Sequence, residues 1–490
     1  QRFDSAVLTL EDVKLWHFET PNLYTVRTRL MDGDTVLHYA EDDIGIRKIE
    51  IKDTKFYLNG EAVRLTGANR VWDDRANGQT EPDYVIMRDI DYMKSMGMNA
   101  ARLSHVPMSE NLLDYCDQVG FLLICEGNLW GGGGVAQVKN PAGSEYPYRT
   151  SLWYKEMIER DFNHPSIFAW SIGNELSGNQ QIVKDYAQYM TNYIKTELDP
   201  TRYVTEVSLS AHRPSTPEGD SVYYSDFICC NYYGGFRGNV QKIHSIYPDK
   251  AIFVSEYGNG QTSEIPDKAV INPANILNQW GDLDYVFGAS IWTLNDYRSN
   301  YGGTPLGQNR VWGVTTVWGD KKIGFDILQK ASSPVKSLTI TANGDTVSEG
   351  GSALLILAVE SRDGTVELPS YPIRCAALKW EALDASGSVV DSALVSIPDM
   401  EPDGSTWQTA AVVDSIPAGG LGAIRATVID AQGYEIAETF YYLQAPDQRP
   451  EITGVIAGGD SVRVVFEGVD NAQSYTVTLT GDGVSKTATV

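Results

Sequence analysis

The sequence predicts an α/β protein: a (β/α)8 barrel of the TIM type flanked by all-β, immunoglobulin-like sandwich modules. Three observations carry this. Apolar runs fit to be covered on both faces alternate with amphipathic helical stretches eight times over about 230 residues. The segments on either side alternate apolar and polar residues at period two between turns rich in Gly, Asp and Pro. A chain of 490 residues, 42% hydrophobic and 21% charged, is long enough for one such barrel plus smaller modules, with a sizeable core. A doubly wound sheet is the alternative, because a strand and helix beat does not by itself distinguish closure from an open sheet.

Taken in order, Ser5 to Leu10, Leu23 to Leu30 and Thr35 to Ala40 read as strands around turns such as Asp32-Gly33-Asp34. So few strands leave an edge and an apolar face uncovered, so residues 1–50 are expected to be part of a sandwich continued upstream or leaning on the next domain. The barrel is assigned to residues 51–334. Its strands are Val63 to Arg70, Asn99 to His105, Phe121 to Gly127, Ile167 to Glu175, Tyr203 to Ser208, Asp226 to Tyr233, Ala251 to Gly258 and Phe287 to Leu294. The clearest helices between them are Asp83 to Ser95, Glu110 to Val119, Gln180 to Leu198 and Pro273 to Leu283. After Ser333-Pro334 the helical pattern ends. Short alternating runs (Ser337 to Ala342, Ala353 to Val359, Cys375 to Ala382, Gly422 to Ile429, Glu438 to Leu443) predict a β-sandwich over residues 335–446. Residues 447–490, with Val462 to Phe466 and Ser474 to Leu479, read as the start of a fibronectin-III-like module that is cut short.

Composition excludes several partners. Lys and Arg total 39 against 64 for Asp and Glu, a net charge of −25 that argues against nucleic acid and anionic membrane. No apolar run approaches the length of a membrane span. The chain opens at Gln1 with no basic or apolar leader, so any secretion signal is expected to have been removed or to lie upstream, and the destination to be secreted or periplasmic. Five cysteines without CxxC spacing predict neither a disulfide framework nor a zinc site, and Cys125, Cys229 and Cys230 read as small buried hydrophobes.

In a barrel, reactive groups sit where strands end at the carboxyl face. Glu175 and Glu256 end the fourth and seventh apolar runs, in Trp170-Ser-Ile-Gly-Asn-Glu175 and Ile252-Phe-Val-Ser-Glu256. A charge at the end of a hydrophobic strand is costly unless it is paired or used. Each is therefore either a salt-bridged barrel residue or half of a catalytic pair: one proton donor and one nucleophile or base flanking a glycosidic bond. The run Gly131 to Gly134 lacks the Lys-Ser/Thr of a phosphate loop and reads as a mobile loop bordering a cleft.

Asn174-Glu175 and Ser255-Glu256-Tyr-Gly258, together with Leu15-Trp16, Pro21-Asn-Leu-Tyr24, Gly45-Ile-Arg47, Leu58-Asn-Gly60, Gly67-Ala-Asn-Arg70 and Asn99-Ala-Ala-Arg102-Leu-Ser-His105-Val-Pro107, resemble glycoside hydrolase family 2, the family of β-galactosidases, β-glucuronidases and β-mannosidases. The likeness runs from about residue 10 to 335. It implies a retaining double displacement with Glu256 as nucleophile and Glu175 as acid/base. It further implies that Arg102 holds Glu256 charged and that Asn174 bonds the sugar's 2-hydroxyl. Tyr232 or Tyr233, with Tyr233 preferred, would donate toward Glu256, while Trp292 stacks on a sugar face and His105 reaches a hydroxyl. Asn69, Glu126 and Arg310 complete the expected substrate-binding set, and Trp130, Trp312 and Trp318 are candidate aromatic subsites.

Departures from the family pattern bear on substrate. Asn69-Arg70 is followed by Val71-Trp72 where family galactosidases commonly have His, and Glu126-Gly-Asn-Leu-Trp130 lacks the magnesium ligands many of them carry. Asn309-Arg310-Val311 lacks the lysine of the glucuronidase Asn-x-Lys clamp, though Arg310 suits an acidic or sulfated sugar. No metal or cofactor is expected. The expected activity is that of a retaining exo-β-glycosidase nearest to β-galactosidases, acting on an oligosaccharide or polysaccharide fragment. The rivals are a glycosidase for glucuronic acid, galacturonic acid or mannose, an inverting enzyme, and a non-catalytic carbohydrate-binding protein on the same scaffold.

Overall fold

The computed structural model describes residues 6–131, 133–260, 272–299, 304, 309–343, 352–384, 387–414, 416, 421–443, 451–457, 462–468, 475–481 and 484–489. Ser5, Gly132, Ser474 and the junction at residues 446 and 447 lie outside them. The apolar runs close into a parallel barrel, which rules out the open doubly wound sheet. Its strands are β1 (Leu65–Val71), β2 (Ala100–Ser104), β3 (Leu122–Glu126), β4 (Ile167–Asn174), β5 (Tyr203–Ser208), β6 (Ile228–Tyr232), β7 (Ile252–Tyr257) and β8 (Val286–Ile291), with β8 pairing back onto β1. Nearly every strand residue is buried, as expected of strands covered inside by side chains and outside by helices.

Helices Asp83–Ser95 and Glu110–Val119 form as predicted. The stretch expected to be helical to Leu198 is α-helix over Gln181–Tyr193 and then a wider π turn over Ile194–Leu198. The helix expected to reach Leu283 stops at Leu277 and tightens into a 3-10 turn, its start capped by Asn272 accepting from the amides of Ala274 and Asn275. Helices Thr150–Asp161, Phe236–Ile246 and Ile323–Ser332 also belong to the ring. The first is hard to read from sequence because it buries Thr150, Ser151 and Asp161 beside Tyr154 and Ile158, which blurs its apolar stripe.

Ahead of the barrel, Tyr24–Asp32 and Thr35–Ile44 pair as an antiparallel hairpin. The strand expected over Ser5 to Leu10 does not form: Val7, Leu8 and Leu10 are exposed and have no partner strand among the described residues. A small sheet of Ile49–Lys52, Lys55–Leu58 and Glu61–Ala62 lies across the amino end of the barrel. Its Phe56 meets Phe168 edge-on at 5.2 Å and stacks on Phe287 at 5.3 Å, and with Phe227 and Phe253 these rings fill the barrel floor. After the barrel, a three-stranded sheet (Val335–Asn343, Ala353–Ser361, Thr406–Val413) and a four-stranded sheet (Val389–Ser396, Ala377–Asp384, Leu421–Ile429, Glu435–Tyr442) share a core that includes Leu355, Leu357, Leu378, Trp380 and Ile424. Arg64, just before β1, ties this sandwich to the barrel by donating to the carbonyls of Trp280, Gly281, Leu283 and Val286 on one side and Gly364 and Glu367 on the other. Two further pairs, Glu451–Ala457 with Val462–Glu467 and Thr476–Gly481 with Val484–Thr489, follow. No helix among the described residues is long and apolar enough to cross a membrane.

Glu206 on β5 is fully buried on the outer side of the barrel, and neither carboxylate oxygen has a hydrogen-bond partner among the described residues. Burial, with the charge of Asp220 adding to it, pushes its pKa up to about 8 from 4.5. A carboxyl whose native pKa lies above its unfolded value contributes its full stability below about pH 4.5, and that contribution declines as pH rises through about 8. Glu206→Gln removes this decline, so the urea midpoint of the variant should pull progressively ahead of wild type between about pH 5 and about pH 9. An equal offset at both pH values would contradict it.

Candidate active site

The carboxyl ends of the strands converge on one guanidinium. Arg102, near the end of β2 and fully buried, donates from Nη1 to Glu256 Oε1 at 2.6 Å and to Asn69 Oδ1 at 3.0 Å. From Nη2 it reaches Glu126 Oε2 at 2.8 Å and Asn174 Oδ1 at 2.9 Å, and from Nε it reaches Glu126 Oε2 at 3.1 Å. Burial works against its charge, but Glu126 and Glu256 outweigh that and hold the guanidinium firmly protonated. Glu126, also fully buried, accepts from Ser171 Oγ at 2.7 Å and pairs with His105 Nδ1 at 2.6 Å. Burial opposes its ionisation, yet Arg102 and His105 together keep its carboxyl below the ordinary range.

Glu256 and Glu175 sit in different surroundings. Besides Arg102, Glu256 accepts from the Tyr233 hydroxyl at 2.5 Å. Burial and the Glu256 charge push the phenol of Tyr233 well above its usual pKa, so it remains a donor. Tyr232 turns the other way: it is buried in the helix layer, 2.9 Å from His212 Nδ1. Glu175, one residue beyond β4, is only partly buried and is held by Asn231 Nδ2 at 2.9 Å. Burial, and next the charge of Glu256, raise its pKa above the carboxylate norm, with Asn231 and Arg102 acting in the opposite sense. Its backbone has φ +53°, a left-handed conformation that costs a residue with a Cβ about 1–2 kcal/mol. The bond from Glu175 N to Val207 O at 2.8 Å and the Asn231 contact hold it there.

Aromatic side chains wall the mouth. Trp292 stacks on His105 at 5.4 Å and donates to Tyr297 OH at 3.1 Å. The Ser104–His105 and Trp292–Thr293 peptides are both cis. Arg310 lies over Trp312 at 4.7 Å, and Trp312 meets Tyr233 edge-on at 5.2 Å. Trp318 lies apart, exposed beneath Arg75 at 5.8 Å.

Residues 49–263 match the sequence profile of "Glycosyl hydrolases family 2, TIM barrel domain" and residues 1–47 that of "Glycosyl hydrolases family 2", together more than half of the chain. The chain belongs to glycoside hydrolase family 2. Among relatives of this family 2 chain, a β-glucuronidase of Streptococcus agalactiae is 29% identical over 279 residues, covering 51% of this chain and 45% of the relative. A β-galactosidase of Leuconostoc mesenteroides is 32% identical over 214 residues, covering 43% and 20%. The solved family 2 β-galacturonidase of Eisenbergiella tayi, bound to galacturonate, shares the fold with a TM-score of 0.59 at 21% identity, covering 66% of this chain and 61% of that one. The chain spans less than half the length of the two curated relatives.

Of the residues expected at the family 2 site, Glu175, Glu256, Asn174, His105, Tyr233, Trp292 and Arg310 are brought together at the carboxyl end of the barrel by a continuous run of hydrogen bonds and ring contacts. Asn69 and Glu126 depart from the expectation that they bind substrate. Both are fully buried, Asn69 donating to Ser255 O, Ser290 Oγ and Ile291 O and Glu126 spent on Arg102, His105 and Ser171. Arg102 is likewise fully buried and acts through the side chains it holds. Asn231, linking Asn174 Oδ1 to Glu175 Oε1, was not among the residues expected. The signal for it was parity: on β6, Cys229 faces the barrel interior and Cys230 the helices, so Asn231 and Tyr233 must face inward and Tyr232 outward. Arg102→Met would take the guanidinium from two buried carboxylates, leaving them only His105, Ser171 and Tyr233, and should cost about 3–5 kcal/mol in chemical denaturation. Arg102→Lys should recover little of it, because one ammonium cannot replace a fork that reaches four acceptors.

Proposed function

We propose that this chain carries the catalytic machinery of a retaining exo-β-glycosidase that hydrolyses terminal non-reducing β-glycosides by double displacement. The observation that supports this best is the pair of carboxylates at one mouth held in opposite ways: Glu256 by Arg102 at 2.6 Å and Tyr233 at 2.5 Å, and Glu175 by Asn231 alone at 2.9 Å, with its pKa raised. In this reading Glu256 attacks the anomeric carbon while Glu175 gives its proton to the departing oxygen. Forming the glycosyl ester removes the negative charge that adds to burial in raising the Glu175 pKa. Glu175 then takes a proton from water, the water oxygen attacks the anomeric carbon, and Glu256 leaves as carboxylate. Asn174 Oδ1 accepts from Arg102 and Asn231, which leaves its amide hydrogens for the sugar's 2-hydroxyl.

For the sugar, a neutral β-galactoside is the first reading. A uronic acid is the second, favoured by Arg310 at the rim and by the names of the β-glucuronidase and β-galacturonidase relatives. Aryl β-glycosides of galactose, glucose, mannose, glucuronic acid and galacturonic acid discriminate between them. On the sugar that is turned over, Glu256→Gln should lower kcat by a factor on the order of 10^4 or more. Proton NMR of early product should show the β-anomer first; the α-anomer first would mean inversion. The alkaline fall of kcat/KM should reflect Glu175 losing its proton and should vanish in Glu175→Gln, whereas turnover of none of the five sugars would favour a binding protein.

A further inference from the structure

Most tryptophans near the barrel mouth are covered, but Trp130 is 62% exposed although it stands directly beside the site. It follows β3, and its backbone is paired with that of Asn174: Asn174 N donates to Leu129 O at 2.9 Å and Gly131 N to Asn174 O at 2.9 Å. The indole is thus built into the wall one residue from Glu175 and does not hang from a free loop. Its ring lies 6.4 Å from His105 and is tilted 29° to it; His105 in turn stacks on Trp292, so three rings run from the pocket outward. Gly131 and Gly133, which follow, leave the flank open. A Cβ placed at Gly131 or Gly133 would meet no atom within 4 Å. A large aromatic face held rigidly in water beside the catalytic pair offers a surface on which a ring can stack.

We propose that Trp130 forms an aglycone subsite that takes, by stacking on its C–H face, the pyranose ring on the reducing side of the scissile bond. The inference rests on the glycosidase reading above and adds to it a substrate class: β-linked oligosaccharides, not glycosides of small alcohols. The direction follows from the chemistry. The proton donor stands on the side from which the leaving group departs, and the residue whose backbone holds Trp130 is the immediate neighbour of Glu175. A sugar retained there would keep its bridging oxygen within reach of that proton.

The test compares two substrates with the same non-reducing sugar, chosen by the aryl screen: the β-linked disaccharide, whose second ring would occupy the subsite, and the β-glycosyl fluoride, whose leaving group cannot. Trp130→Ala should lower the ratio of kcat/KM for disaccharide over fluoride roughly tenfold or more, chiefly through KM, and Trp130→Phe should recover part of it. An unchanged ratio would overturn the subsite. An equal fall for both substrates would overturn it too, because Trp130 would then act by propping His105. A loss confined to aryl glycosides, with the disaccharide unaffected, would replace the pyranose with a flat aglycone and refute the proposal as stated. Fluoride turnover by wild type that is abolished in Glu256→Gln keeps the underlying glycosidase reading separate from all three outcomes.

Discussion

One buried cation organises this site. Arg102 lies at the closed end of the pocket with no exposure to water, and taking such a charge out of solvent costs several kcal/mol before any partner is counted. Two carboxylates and two side-chain carbonyls return that energy only because a planar fork can reach them all at once. Everything above the guanidinium inherits its order. Glu126 is held ionised, which fixes His105; Glu256 is held by one oxygen and offers the other to Tyr233; Asn174 has its carbonyl turned down and its amide turned up. Glu175, unlike Glu126 and Glu256, makes no hydrogen bond to Arg102, and its pKa is raised, by burial first and by the charge of Glu256 next. A single positive charge thus bonds one of two carboxyl groups that the sequence writes with the same letter and leaves the other to Asn231.

The barrel supplies the geometry that lets one side chain do this. The strand registers bring Asn69 opposite Arg102, Glu126 opposite Ser171 and Asn231 opposite Glu256. Irregularities fall near those same ends: between Cys230 and Asn231, between Thr205 and Val207, and between Val254 and Tyr257. Such offsets turn side chains off the strict alternation of a strand, which is how Ser255 and Glu256, neighbours in sequence, both serve the site, Ser255 by donating to Asn231 at 2.9 Å.

Much of this was legible beforehand. The barrel strands show because a parallel strand buried on both faces must be apolar along its whole length, so polar residues at strand ends stand out against it. That contrast is what exposed Glu175 and Glu256, whereas the role of Arg102 came from the family resemblance. Asn69 and Glu126 were likewise expected from the resemblance, but a motif does not tell a residue that faces a ligand from one that supports it; the difference lies in how many of its polar atoms are already used. Asn231 was overlooked because an amide between cysteine and tyrosine looks unremarkable until parity is followed from the interior outward. Strand Val389–Ser396 was missed because it is largely solvent-facing, which removes the apolar alternation, and Ser5 to Leu10 was read as a strand because alternation alone says nothing about whether a neighbour exists to accept its hydrogen bonds.

The phenylalanine cluster under the barrel has an effect reaching well beyond packing. Phe56, Phe168, Phe227, Phe253 and Phe287 form a hydrocarbon plug below the charged layer, so water approaches that layer from one side only. Field lines from the buried ions spread poorly into such a medium and are channelled toward the open end. The pocket is thereby an electrical cul-de-sac: traffic enters and leaves by the same door, and the potential felt by a visitor at the threshold is set by groups it never touches.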